Sequence, residues 1–200
     1  MGTSDLDTEL LKLAYTRGYF PMPHPETQEI LWFSPDPRAI LPLAGFHQSR
    51  SLRRRIAKGT LSATLDRDFT AVMDGCADRH ETWINAEFKR AYTVFFSEGL
   101  AHSVEVWEGG KLVGGVYGVA IGGAFFAESM FSRVTDASKV ALMFLVQHLR
   151  VRGFVLLEVQ FLTPHLQSLG AIAIPAARYL GLLRSALKTK VSIGTTLLEA

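Results

Sequence analysis

The sequence predicts a mixed α+β fold: an antiparallel meander followed by a parallel β-α-β crossover, with a small N-terminal subdomain. Three observations predict it. Residues 103–133 read SVEVWEGGKLVGGVYGVAIGGAFFAESMFSR, and two Gly-Gly pairs divide this stretch into three strand-like runs. Residues 135–152 then form a long helical stretch that is almost wholly apolar from Val140 to Val146. FVLLEVQFL follows, bounded by Gly153 and Pro164, with the length and apolarity of a strand covered on both faces. Strand, helix and strand in that order make a parallel crossover.

Taken in order, the chain opens with a short helix capped by Asp5 or Asp7, with Leu6, Leu10, Leu13 and Ala14 on one face and Gly18 as its stop. Pro21, Pro23 and Pro25 then forbid helix and central strand alike. The aromatics Tyr19, Phe20, Trp32 and Phe33 mark this stretch as a loop packed onto something, and an anchored surface loop and a ligand wall both fit. Residues 34–38, SPDPR, form a rigid turn into a strand, AILPL. A helix beginning near Ser49 or Ser51 carries Arg50, Arg53, Arg54, Arg55 and Lys58 with no acidic residue between them. A phosphate-binding face and a solvated helix face both fit that run.

Residues 61–65 read as a strand and 69–76 as a helix capped by Asp68 or Thr70. Asn85 starts a helix with Phe88, Ala91, Tyr92, Phe95 and Phe96 inward, and Trp83 stands at its boundary. In the meander, strands cover 103–108, 111–121 and 124–131. Glycines inside the second strand predict a bulge or a close approach by another chain or ligand. Glu128 lies among Phe125, Phe126, Met130 and Phe131, where a carboxylate is costly unless paired or used. Thr135 or Asp136 caps the buried helix. A short helix closed by Gly170 and a terminal helix over 176–187 end the chain.

On the strand after the crossover helix, alternation puts Val155, Leu157, Val159 and Phe161 on one face. Leu156, Glu158, Gln160 and Leu162 take the other, with Glu158 and Gln160 about 6–7 Å apart. Two polar residues in register on a covered strand, near its C-terminal end, point to use.

Composition limits the alternatives. Two hundred residues suit one domain, or one with a small appendage; the division expected is 1–36 and 37–200. The net charge of +2 means that any nucleic-acid contact must come from a local patch. A single cysteine, Cys76, excludes an intrachain disulfide and a cysteine zinc cluster, and reads as a buried small residue. The N-terminus lacks the pattern of a signal peptide, so the cytoplasm is the expected compartment. Gly114, Gly118 and Gly122 mimic a membrane-helix motif, but the uncharged run 112–127 falls short of the ~18 residues a span needs. His102 and His165 read as structural or exposed.

The order of meander, crossover and trailing short helix is similar to that of the GCN5-related acyltransferases. Those grip the pyrophosphate of coenzyme A with a glycine-rich turn before the buried helix. This chain has SRVTDASK there, without a glycine, which speaks against coenzyme A.

A more specific resemblance is carried by RGYFP (17–21), WFSPDPR (32–38), FHQSRSLRR (46–54), TWI (82–84), HSVEVW (102–107), GGVYGVAIG (114–122), ESMFSR (128–133), ASK (137–139) and SLGA (168–171). In this order and over nearly the whole chain they resemble the leucyl/phenylalanyl-tRNA–protein transferases. The resemblance implies a GCN5-like fold and transfer of leucine or phenylalanine from aminoacyl-tRNA to the N-terminal Arg or Lys of a protein, which marks it for degradation. It implies no metal and no organic cofactor, and a monomer is expected. By the same resemblance the aminoacyl pocket would involve Trp83, Val116, Phe125 and Met130, with Met22 at its rim and Glu128 at its border. Glu158 and Gln160 would stand at the reaction centre, and Arg50, Arg53, Arg54, Arg55 and Lys58 would face the tRNA. Met22 and Val116 replace a familiar aromatic and methionine, and Glu158 a familiar Asp. The competing classes are a coenzyme A-dependent acyltransferase and a non-catalytic module that binds RNA or basic N-terminal residues.

Overall fold

The computed structural model describes residues 6–24, 26–27, 29–79 and 82–197 of the 200-residue chain. Asp5 and Pro25, which the sequence offers as a cap and a helix breaker, lie outside the described residues.

Helix α1 (Thr8–Thr16) begins on Asp7, whose carboxylate accepts the Glu9 amide. Gly18 ends it with a φ of 83° that favours glycine. The buried face differs from the expected one. Leu11, Ala14 and Tyr15 turn inward with Leu6, while Leu10 and Leu13 are exposed. Leu11 and Tyr15, four apart, share a face, and the Tyr15 hydroxyl finds buried partners there that leucines could not use.

The proline-rich stretch is packed onto the core through Phe20, Trp32 and Phe33, as expected, but it is a two-stranded ribbon rather than a loop. Strands β1 (Phe20–Pro23) and β2 (Ile30–Phe33) pair antiparallel as a separate two-stranded sheet. Pro21 and Pro23 are tolerated because such a sheet consists of two edges.

Next come β3 (Arg38–Ile40), α2 (Arg50–Ala57), β4 (Leu61–Leu65), α3 (Phe69–Ala77) and α4 (Ala86–Ser97). The three helices are capped by Ser49, Asp68 and Asn85, each accepting an amide three residues on. The meander is β5 (Ala101–Glu108), β6 (Lys111–Ile121) and β7 (Ala124–Ser132). Gly109 and Gly110 make its first turn at φ 57° and 76°, the left-handed pair that a two-residue hairpin requires.

Helix α5 (Ala137–Arg152) follows, but its expected cap is not used. Asp136 sits at the cap position in a left-handed conformation, and its carboxylate instead takes Lys139 Nζ at 2.7 Å. Ser132 Oγ accepts the Ser138 amide in its place. The chain ends in β8 (Leu156–Gln160), α6 (Pro164–Ser168), β9 (Ile172–Ile174) and α7 (Ala176–Ala186). No strand was expected at Ile172–Ile174; it forms by pairing with β3.

Among the described residues the main sheet has seven strands in the order β4-β5-β6-β7-β8-β3-β9. β7 and β8 are parallel, as the crossover requires, and the remaining neighbours are antiparallel. The sheet separates two apolar cores. One gathers Tyr15, Phe88, Tyr92, Tyr117 and Phe126 beneath α1, α3, α4 and α7. The other gathers Val116, Phe125, Leu157 and Val159 against α5. No helix among the described residues is long and apolar enough to cross a membrane.

Candidate active site

Of the two consequences anticipated for the glycines of β6, the bulge is present, while the close approach is made by α5 of the same chain. A Cβ on Gly114 would lie 2.6 Å from the Ala137 methyl, so α5 packs directly on the strand there. At Gly118 a Cβ would lie 2.2 Å from the Phe126 carbonyl oxygen. The register beside it steps from Gly118↔Ala127 to Tyr117↔Ser129, which leaves Glu128 as the extra residue of a bulge. Bulges re-aim side chains, and this one sends the Glu128 carboxylate into the structure.

Glu128 is buried, with 7% of its surface exposed. The Tyr15 hydroxyl donates to its Oε1 at 2.6 Å and the Gln160 amide donates to its Oε2 at 2.9 Å. The Tyr15 and Tyr92 hydroxyls lie 2.5 Å apart, which extends the network to α4. Burial pushes the Glu128 carboxyl up to about 7, and the Tyr15 hydrogen bond restrains the rise. Burial first, then the Glu128 charge, pushes the Tyr15 and Tyr92 phenols far above their usual range.

Glu158 is fully buried, and its Oε1 accepts Arg38 Nε–H at 2.7 Å and the Gln160 backbone amide at 2.5 Å. Arg38 is equally buried. It donates from Nη1 to the Gly18 carbonyl, and its guanidinium carbon stands 4.6 Å from the ring centres of both Phe20 and Tyr179. Burial raises the Glu158 carboxyl above its ordinary value, and the Arg38 guanidinium limits that rise. Glu158 Oε2 and Arg38 Nη2 are buried without a hydrogen-bond partner.

The alternation expected along β8 holds through Val159 and stops at Gln160, whose φ is 62°. With its amide drawn to Glu158, the backbone there turns left-handed. Phe161 therefore leaves the Leu157–Val159 face and packs edge-on against Phe20 at 5.6 Å. The same turn carries the Gln160 side chain to Glu128.

Glu128 and Gln160 border a cavity of about 300 Å3, whereas Glu158, Arg38, Tyr15 and Tyr92 do not line it. Trp83, Val116, Glu128, Met130 and Gln160 line it, together with Leu142. Trp83 is half-buried and stacks edge-on against Phe88 at 5.2 Å. Phe125 is buried in the core that contains Val116, and Met22 packs at the edge of the other core; neither lines the cavity. Of the basic residues on α2, Arg50, Arg53, Arg54 and Lys58 are exposed, while Arg55 is tied to Glu108 at 2.8 Å and to Thr60. A groove of about 470 Å3 joins Arg54, Arg55 and Lys58 to Thr135 and Asp136.

The residues set aside in the sequence have ordinary places. Cys76 is buried, and burial pushes its thiol up to about 12. His102 lies between Asp66 Oδ2 at 2.7 Å and the Gly99 carbonyl at 3.1 Å. His165 is exposed. Where coenzyme A enzymes offer free amides, those of Ala137 and Ser138 are already bonded to the Val134 carbonyl and Ser132 Oγ. The parts that Arg38, Tyr15 and Tyr92 take in the site escaped the sequence reading, which placed Tyr92 only in the core. One signal was present: Arg38 is a lone charge at the start of an apolar strand.

Comparison with known proteins adds the family. Residues 40–184 match the family described as leucyl/phenylalanyl-tRNA protein transferase, and residues 4–36 match the N-terminal domain described for it. A leucyl/phenylalanyl-tRNA–protein transferase of Ruegeria pomeroyi is 54% identical over 175 residues, covering 87% of this chain and 83% of the relative. One from Cereibacter sphaeroides is 55% identical over 175 residues, covering 87% and 82%. Among solved structures, L-PGS from Bacillus licheniformis aligns with a TM-score of 0.44 at 14% identity, over 80% of this chain and 55% of that one. The chain belongs to the leucyl/phenylalanyl-tRNA–protein transferase family.

Proposed function

We propose that this protein transfers leucine or phenylalanine from aminoacyl-tRNA to the N-terminal Arg or Lys of acceptor proteins, marking them for degradation. The observation that carries the proposal is the apolar cavity that ends on Glu128 and Gln160, in a chain of this family. Trp83, Val116, Met130 and Leu142 give the aminoacyl side chain an apolar seat, with Phe125 and Met22 supporting it from the two cores.

The donor is an activated ester, so the protein's task is to hold two substrates and manage one proton. Once the α-ammonium has lost one proton, its nitrogen bonds to the ester carbonyl carbon, the ester C–O bond breaks, and a second N–H proton passes to the leaving oxygen, which departs as the tRNA's terminal hydroxyl. An α-ammonium titrates near ~8, and a carboxyl held at about 7 lies close enough to take its proton. Glu128 accepts that proton in our reading. Gln160, which donates to Glu128, turns its carbonyl oxygen toward the reacting amine. Glu158, with one oxygen taken by Arg38 and the Gln160 amide, is a positioning residue that holds Gln160 in its left-handed turn.

The run from meander to parallel crossover supports the GCN5-related reading of residues 37–200, with 1–36 as the smaller unit. A monomer acting in the cytoplasm is part of this reading, and the aminoacyl-tRNA donor supports the compartment.

The test mixes purified protein with radiolabelled leucyl-tRNA and a protein beginning with Arg. Label should move to the acceptor, and none should move from acetyl-coenzyme A. One methylene is worth ~1–3 kcal/mol in an apolar pocket, so leucyl-tRNA should outrun valyl-tRNA by tens-fold, not thousands-fold. No transfer from leucyl-tRNA would reject the proposal, and equal use of valine would reject the pocket.

A further inference from the structure

Arg38 is a buried cation with few polar partners. Its Nε donates to Glu158 Oε1 at 2.7 Å and its Nη1 to the Gly18 carbonyl at 2.9 Å, while Nη2 is buried without a hydrogen-bond partner. A guanidinium carries five N–H donors, and burying one so sparingly bonded is costly. The compensation is aromatic. The Arg38 Cζ lies 4.6 Å from the ring centre of Phe20 and 4.6 Å from that of Tyr179, and both rings are buried. Ring faces attract a guanidinium most strongly where water is excluded.

The two rings come from distant parts of the sequence. Phe20 opens β1, just past the turn at Gly18. Tyr179 ends the first turn of α7, where its amide bonds to the Pro175 carbonyl. Two further contacts place that turn: Asp36 Oδ1 accepts the Ala176 amide at 3.0 Å, and β3 pairs Arg38 with Ile174. Gly18 closes the arrangement, since a Cβ there would lie 3.2 Å from the Tyr179 ring and 2.8 Å from Leu180. Phe20 also meets Phe161 edge-on at 5.6 Å. It therefore touches both the cation that holds Glu158 and the residue that follows Gln160, so the turn at Gln160 is gripped on both sides.

We propose that Phe20 and Tyr179 are positioning residues for the transfer reaction: their rings hold the Arg38 guanidinium, and through it they fix the Glu158 carboxylate and the left-handed turn that aims Gln160. The inference rests on the transferase reading. The chain of contacts is continuous. Arg38 and the Gln160 amide share Oε1 of Glu158, and the Gln160 side chain donates to Glu128 at 2.9 Å. A guanidinium free to leave its rings would leave Glu158 free to turn. Gln160, at a φ of 62°, would then lose the bond that keeps its backbone left-handed. A misplacement of about 1 Å in a group that orients a reactant can slow a reaction by ~10²-fold. Neither ring borders the cavity, so both act through Arg38 rather than on substrate.

Tyr179→Leu and Phe20→Leu test this by removing a ring. Tyr179→Phe keeps the ring and removes a hydroxyl that has no partner. Pentafluorophenylalanine at position 179 keeps the ring's shape but reverses the charge of its face. Rates are taken per folded molecule, in single turnovers with leucyl-tRNA and an Arg-initiated peptide. Each leucine variant should slow transfer roughly tenfold, with KM for leucyl-tRNA within about twofold of the parent's. Tyr179→Phe should keep the parent rate within about twofold. The pentafluoro variant should follow the leucine variants, and it carries the test should they fail to fold. In an Arg38→Leu/Glu158→Gln background, which removes the ion pair without stranding a charge, Tyr179→Leu should slow transfer by no more than about twofold. Equal slowing in both backgrounds would overturn the proposal, as would leucine and pentafluoro variants within about twofold of the parent. The NMR signals of the Gln160 side-chain amide give a readout free of catalysis: they should move when the ring is deleted and stay in Tyr179→Phe. Failure of the transferase reading is seen separately, as no transfer by the parent protein; an unmoved Gln160 amide would then overturn the positioning role by itself.

Discussion

Glu105 and Glu128 make an instructive pair. They stand on β5 and β7, the two neighbours of β6, and both are buried carboxylates that burial pushes above the ordinary range. Glu105 accepts from Thr64 Oγ1, Ser103 Oγ and the backbone amides of Arg67 and Asp68. Two of those donors belong to the turn that leads into α3, and Glu105 does not line the cavity that Glu128 faces. Glu128 accepts instead from the ends of two long side chains, Tyr15 and Gln160, and it faces open space. A buried carboxylate saturated by a rigid turn fixes the scaffold. One held by side chains at the wall of a cavity is available for chemistry. Burial alone does not distinguish them; the nature of the donors does.

That contrast can be broken at several points. The largest effect is expected at the buried ion pair behind Gln160. Arg38→Ala strands Glu158 as an uncompensated charge and should cost about 3–5 kcal/mol of stability, read by denaturant unfolding. Glu158→Gln keeps the acceptor oxygen and should lose less stability, while slowing transfer. If Arg38→Ala unfolds at the parent's midpoint, the pair is not holding the strand.

Glu105→Ala comes next. It leaves two hydroxyls and two amides without their acceptor and should cost at least about 3 kcal/mol. The rate of transfer per folded molecule should stay near the parent's. A large loss of rate without a loss of stability would move Glu105 from the scaffold into the site.

The pH dependence of Glu128 gives a sharper signature. Its folded value of about 7 lies above the unfolded 4.5. Relative to an untitratable residue, its contribution to stability is fully present below pH 4.5 and is lost as pH rises through 7. Glu128→Gln should therefore gain on the parent by up to about 3 kcal/mol between those limits. The comparison requires unfolding curves for both proteins from pH 4.5 to 8. Parallel pH profiles would show that Glu128 is not held high by burial.

Much of the scaffold was legible because its signals are local. Gly109-Gly110 and alternation fixed the meander, and Ser49, Asp68 and Asn85 announced three helices. Four of the expected pocket residues, Trp83, Val116, Glu128 and Met130, line one cavity because they cluster on the meander and the boundary before α4. What stayed hidden is long-range. Arg38 and Glu158 are 120 positions apart, and Tyr15 and Glu128 are 113 apart, so neither partner announces the other. The face of α1 was misread because leucines were given priority over a tyrosine with a buried partner. The course of the chain past Gln160 was misread because alternation assumes extended backbone, which Gln160 does not have.

The central claim is that Gln160, held by Glu158 and joined to Glu128, stands at the reacting amine. The most direct measurement is the single-turnover rate of leucine transfer from leucyl-tRNA to an Arg-initiated peptide by Gln160→Ala, with the unfolding midpoint recorded alongside. The predicted result is a loss on the order of 10²-fold or more in rate, at an unfolding midpoint close to the parent's. A rate within about twofold of the parent's would contradict the account.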